Sequence, residues 1–215
     1  MKSIRLVCLC FASLFMTPSC EKDPGISHFE LNLQPDGDQG RDALVGKIVP
    51  ISNYGETPDL HLYAWTQDGV LNVTRALLEF DMGALPVDAQ IDSAFLSLYF
   101  NSTSLYGDRH EGETSFVIQR IISEWDEMEV SWSTQPEAST VNQRIIAEAT
   151  NETQDFIDMD VTSLVRDMAS DRVNSHGFLL RLNTEAPFRK LLLASSDHPL
   201  EELRPRLVIY YSLRN

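Results

Sequence analysis

Cysteine is nearly absent from this chain: its 215 residues include three, Cys8, Cys10 and Cys20, all within the first twenty positions. A disulfide scaffold for the remainder is thereby excluded. Basic residues are also few, 17 Lys and Arg against 32 Asp and Glu, for a formal net charge of -15. Like charges repel, and no cluster of Lys and Arg reverses the sign locally, so no nucleic-acid partner is expected. No apolar run is long enough to cross a bilayer, since the longest, Leu6 to Met16, would cover about half of the hydrocarbon thickness. Gly and Pro, ten of each, are near average, which sets aside disorder, collagen-like repeats and low complexity. Paired metal-binding histidines are missing as well. His28, His61, His110, His176 and His198 form no i, i+4 pair and no His-x-His, so zinc catalysis lacks its ligands. There is no Gly-x-Ser-x-Gly elbow and no phosphate-cradling Gly-rich loop. Glycoside hydrolysis needs only two carboxylates, and abundance of acid is not evidence for such a pair. The expectation is a non-catalytic protein.

What is present starts with targeting. Lys2 and Arg5 precede the apolar run, and Thr17, Pro18 and Ser19 lead to Cys20, the layout of a secretory signal over residues 1–19. A small residue directly before a Cys at the end of such a run resembles the lipobox of bacterial lipoproteins, in which the Cys thiol is acylated and becomes the new N-terminus. Glu21, Lys22, Asp23 and Pro24 resemble the charged export signal of surface lipoproteins in the Bacteroides group. The resemblance implies lipidation at Cys20, a linker over residues 20–30, and anchoring at the bacterial outer membrane or cell surface by lipid alone. The alternative is a soluble secreted protein cut nearby.

From Leu31 onward, short apolar runs of alternating character are broken by Gly, Pro, Asn and Asp, the pattern of an all-β, two-sheet sandwich or jelly roll over residues 31–215. Ala76, Leu78 and Phe80 share one face of a strand while Arg75, Leu77 and Glu79 share the other; Leu96, Leu98 and Phe100 oppose Phe95, Ser97 and Tyr99. Further strands are expected at Asp42 to Val49, Leu60 to Trp65, Phe116 to Ile122, Phe156 to Val161, Phe178 to Leu182, Leu191 to Ala194 and Arg206 to Tyr211. One short helix is expected, capped by Asp160 or Thr162, with Leu164, Val165 and Met168 on its apolar side. Trp125 and Trp132 are expected as core or corner residues, since burial of a large aromatic contributes about 2 to 3 kcal/mol.

Five stretches carry a family resemblance: Leu33-Gln34-Pro35 with Asp42-Ala43; Asn53-Tyr54-Gly55; Arg75 through Asp81; Trp125-Asp126-Glu127 with Val130-Ser131-Trp132 and Gln135-Pro136; and Asp160 through Val165 with Arg204 through Tyr210. In this order they resemble the DNRLRE-domain family of β-sandwich modules, related to a class of carbohydrate-binding modules. The resemblance implies an extracellular setting and polysaccharide binding, including acidic polysaccharides such as alginate. On the non-core faces of the strands, Arg75, Tyr99 and Arg181, with loop residues Tyr54, Trp65 and Arg109, would form the platform, rings stacking on sugars and guanidinium groups pairing with carboxylates. The alternative is a structural or adhesive module with a surface-protein partner, in which those arginines pair with the chain's own carboxylates. Between Pro35 and Asp42, Asp36, Asp38 and Asp42 alternate with glycines, a pattern that gathers oxygen ligands around a structural Ca²⁺. It is no EF-hand, because Arg41 stands where that loop needs Gly and Lys47 where it needs Glu. The more ordinary reading is a solvated acidic loop.

Overall fold

The computed structural model describes residues 25–35 and 40–214. Eleven strands and one α-helix follow one another as β1 (Ile26–Leu33), β2 (Arg41–Gly46), β3 (Leu62–Gln67), β4 (Val70–Glu79), β5 (Gln90–Leu98), β6 (Phe116–Ile121), β7 (Ala138–Ile146), β8 (Phe156–Asp160), α1 (Thr162–Ser170), β9 (Phe178–Leu182), β10 (Arg189–Leu191) and β11 (Arg206–Arg214). Two antiparallel sheets result. The smaller runs β1-β11-β5-β8, and the larger runs β10-β3-β4-β9-β6-β7 with β2 also paired to β4. The fold is the β-sandwich expected from the sequence. Among the described residues no helix is long and apolar enough to cross a membrane.

Period-two alternation explains which residues meet between the sheets. Ala94, Leu96 and Leu98 of β5 and Leu207 and Ile209 of β11 face Ala76 and Leu78 of β4, Phe116 and Ile118 of β6, and Phe178, Leu180 and Leu182 of β9 in one core cluster. Helix α1 closes this core with Leu164, Val165 and Met168. Its start is fixed by Asp160, whose Oδ1 accepts from the Thr162 N–H at 2.9 Å; the Thr162 hydroxyl instead accepts from the Ala94 N–H.

The opposite face of the larger sheet is also apolar. Ala43 and Val45 of β2, Leu77 of β4, Ile121 and Leu179 form a second cluster with Trp125 and Val130, against which Trp132 packs. The segment from 122 to 137 therefore lies over this face as a cover. Trp125 is 8% exposed, and its indole N–H donates to the His176 carbonyl at 2.9 Å.

Nine strands were expected and two more are present, β1 and β7. Neither alternates cleanly: β1 begins at Ile26, within the expected linker, and only Leu31 and Leu33 pack on the core. Backbone pairing with β11, from Ile26 with Arg214 to Leu33 with Leu207, supplies what side-chain burial does not. Strand β7 exposes Val141 and Ile145 and is interrupted by Asn142 at φ 57°. The β2 ladder stops at Gly46, short of the expected Val49.

Because Trp125 seals the outer cluster and satisfies a backbone carbonyl, Trp125→Ala is expected to cost about 3 to 5 kcal/mol of unfolding free energy. Urea denaturation checks this, and a loss below about 1 kcal/mol would show that the covering segment does not depend on the indole.

Candidate functional site

Strand β3 and the residue before it read His61-Leu62-Tyr63-Ala64-Trp65. Leu62 and Ala64 point into the core, so the three rings project to the other side. Tyr63 and Trp65 lie side by side with centroids 6.0 Å apart and planes at 22°. Phe188 meets Trp65 edge-on at 5.2 Å. The loop after β5 brings Tyr106 over His61, centroids 3.8 Å apart, and within 6.3 Å of Tyr63. Tyr54, 37% exposed, joins from the loop before β3. Tyr54, His61, Tyr63 and Tyr106, together with Gln67, Asn72 and Thr74, line a cleft of about 200 Å³, and Trp65 extends this aromatic surface beside Tyr63. Apolar ring faces with polar tips around a concave surface are what recognition of a polyhydroxylated ligand requires.

Charge in the cleft is low. Burial holds the His61 imidazole down to about 3, so it is neutral near pH 7, and its Nδ1 is buried without a hydrogen-bond partner. Burial raises the Tyr63 and Tyr106 hydroxyls, with Tyr106 adding to the effect at Tyr63, and Tyr54 and Asp59 adding to it at Tyr106. Lys190 sits 5.8 Å from the Trp65 ring centre; its ammonium donates to the Tyr106 carbonyl and pairs with Glu111 at 3.0 Å. Gly107, at φ 141°, lets this contact form, because a Cβ there would meet the Lys190 ammonium.

Of the residues expected to bind ligand, Tyr54 lines this cleft and Trp65 stands next to it, against Tyr63. Arg75 lies on the outer face of the larger sheet, bonded to both Glu185 oxygens at 2.7 and 3.0 Å, to Gln135, and stacked 4.7 Å from Trp132. Arg181 bonds to Gln119 and to the Leu182 carbonyl. Exposed Arg109 pairs with Asp108 and Glu152. Tyr99 follows β5, half-buried, its carbonyl accepting from the Ala194 N–H. A second groove, on the outer face of the smaller sheet, sets Phe95 and Tyr210 at 71° and so presents no flat platform. Sequence reasoning missed His61, Tyr63, Tyr106 and Lys190. Tyr63 shares strand parity with Trp65 and was within reach of it; Tyr106 sits in a loop, where no periodicity marks it.

Asp36, Asp38 and Cys20 lie outside the described residues. Asp42 is in β2, fully buried, one oxygen accepting from the Ser196 N–H at 2.6 Å. Its neighbours in space are Glu127, which accepts from the Asp42 N–H at 2.8 Å, and Asp197; one oxygen from each of the three carboxylates lies within 4.8 Å of the others. Burial raises Asp42 to about 7, with Asp197 and Glu127 adding to the rise and the Ser196 hydrogen bonds opposing it.

His61 and Asp42 titrate in opposite senses. The folded imidazole, held near 3 against about 6.5 when unfolded, lets the unfolded chain bind the extra proton. Its contribution is intact above about pH 6.5 and lost as pH falls towards 3. Asp42, raised in the fold, works the other way over much of that range, so the difference between wild type and His61→Phe isolates the histidine. The unfolding free energy of wild type relative to the variant should fall by roughly 2 to 3 kcal/mol between pH 6.5 and 4.5. A pH-independent difference would mean that His61 accepts a proton within the fold.

The profile of carbohydrate-binding module family 96 matches residues 38–211. No curated protein matches the chain. The matched stretch holds most of both sheets and every residue of the cleft, and it carries the coarser part of what the sequence resemblance implied. The chain belongs to carbohydrate-binding module family 96.

Proposed function

We propose that the protein binds a glycan chain, without acting on it chemically, along the cleft lined by Tyr54, Tyr63 and Tyr106 and the adjoining ring of Trp65. The observation that carries this is the Tyr63–Trp65 pair, two nearly parallel rings 6.0 Å apart on one strand face. Successive sugar rings present flat C–H faces that stack on such a surface, while the rim hydroxyls and the amides of Asn72 and Gln67 meet hydroxyl groups. Family membership supports carbohydrate as the ligand class.

The charge distribution favours a neutral glycan. Arg75 and Arg109 pair with carboxylates of the chain itself, and Lys190 shares its charge with Glu111. An acidic polysaccharide, the ligand that the sequence resemblance suggested, would meet a protein of net charge -15, and the Lys190 ammonium against the Trp65 ring is already paired with Glu111. In the setting we propose, the leader over residues 1–19 is removed and Cys20 is lipidated, so that the module stands on the bacterial surface. Cys20→Ala should release the protein into the medium; retention in the membrane fraction would refute lipid anchoring.

Affinity electrophoresis and calorimetry across neutral β-glucan, xylan and mannan, and across alginate and pectin, test the ligand reading. A neutral polysaccharide should be retained, and Trp65→Ala should weaken it at least about tenfold, roughly 1.4 kcal/mol, while Arg181→Ala leaves it unchanged. Retention by alginate or pectin alone would assign the acidic class instead. Absence of binding to all of them would leave the adhesive module with a protein partner.

A further inference from the structure

We infer that the protein holds a structural calcium ion between Asp42, Glu127 and Asp197, a site separate from the cleft and independent of the glycan reading. The three carboxylates come from β2, from the turn after Trp125, and from the segment before β11, and they converge with oxygens within 4.8 Å of one another. Proximity of acidic groups alone would carry little. The second observation is the state of Asp42: its residue is 0% exposed, Oδ2 accepts from the Ser196 N–H, and Oδ1 is buried with no hydrogen-bond partner. A buried carboxylate oxygen without a donor is costly unless a cation meets it.

The donor chemistry selects the ion. All candidate ligands are oxygens, which suits a hard cation. His198, the imidazole nearest in sequence to Asp197, has both ring nitrogens engaged, with Thr103 and with Leu200, so it offers no soft ligand. Calcium accepts irregular arrangements of carboxylate, hydroxyl and carbonyl oxygens, whereas magnesium demands near-ideal octahedral geometry. The ion would join segments far apart in the chain. Asn53 also donates from its side chain to the Glu127 carbonyl, and the Gly55 N–H donates to Asn53 Oδ1, so the turn bearing Tyr54 is fastened to the same junction. This assignment keeps Asp42 from the set suggested by sequence spacing and draws its other ligands from distant segments.

The test uses the full chain stripped with EDTA, titrated calorimetrically with CaCl2 and separately with MgCl2, and melted in each condition. One Ca²⁺ per chain is expected, with a melting temperature roughly 5 to 10 °C higher at a hundredfold excess over Kd than in EDTA. Asp42→Asn should abolish that shift yet melt in EDTA no lower than wild type, because a neutral amide replaces a buried carboxylate facing two others. Asp197→Asn, a substitution at the half-buried rim, should weaken Ca²⁺ at least tenfold and gives the reading if the first variant does not fold. Equal melting in calcium and EDTA with no heat of binding would overturn the inference. A calcium shift that survives both substitutions would also overturn it, since the ion would then sit elsewhere.

Discussion

The larger sheet is apolar on both faces, and much else follows from the need to cover the second one. The inner face is sealed by the smaller sheet and α1, but Val45, Leu77, Ile121 and Leu179 face outward. Leaving such side chains in water would forfeit roughly 1.5 to 3 kcal/mol each. The segment between β6 and β7 covers them with Trp125, Val130 and Trp132. That placement carries Glu127, two residues beyond Trp125, to the Asp42 N–H, and it seats the Arg75 guanidinium on Trp132. The cover stops short of β3. There the outward residues are aromatic with polar tips, and they remain half-exposed around a cleft.

Among the described residues, His61 and Asp42 are nearly or fully buried and each keeps an atom without a partner, and they mark the two sites. His61 is neutralised by its surroundings and becomes part of the aromatic wall. Asp42 cannot be dismissed the same way, because Glu127 and Asp197 add negative charge beside it. Folding alone would favour an amide or an apolar residue at that point. Local conflict with an otherwise consistent structure is where a ligand is expected to supply the missing interaction.

Strands that bury one face were legible from the sequence, and β9 has the expected bounds, Phe178–Leu182. Strands β1 and β7 were not, since backbone pairing at a sheet edge leaves no alternation to detect. Trp125 and Trp132 were legible as packing residues because burial outweighs any surface role for so large a ring. At the cleft, Tyr54 and Trp65 could be named, while Tyr106 and Lys190 arrive through tertiary contacts that no local pattern encodes. The acidic junction shows the same limit. Asp42 was visible beside Asp36 and Asp38, but Glu127 and Asp197 become its neighbours only when β2, the covering segment and the 195–198 turn are packed together.

Charge ties these features to the choice of ligand. With 32 acidic residues against 17 Lys and Arg, the chain has fewer cations than it needs to pair its own carboxylates. Arg41 pairs with Glu79, Arg75 with Glu185, Arg189 with Glu113 and Lys190 with Glu111. A polyanionic ligand drawn to one of these four cations would have to break its pair, leaving a carboxylate of the chain unmatched. Stacking on Tyr63 and Trp65 requires no such exchange. A neutral sugar face displaces only water from the rings, so the surface that the covering segment leaves open is the one at which binding conflicts least with the electrostatics holding the rest of the module together.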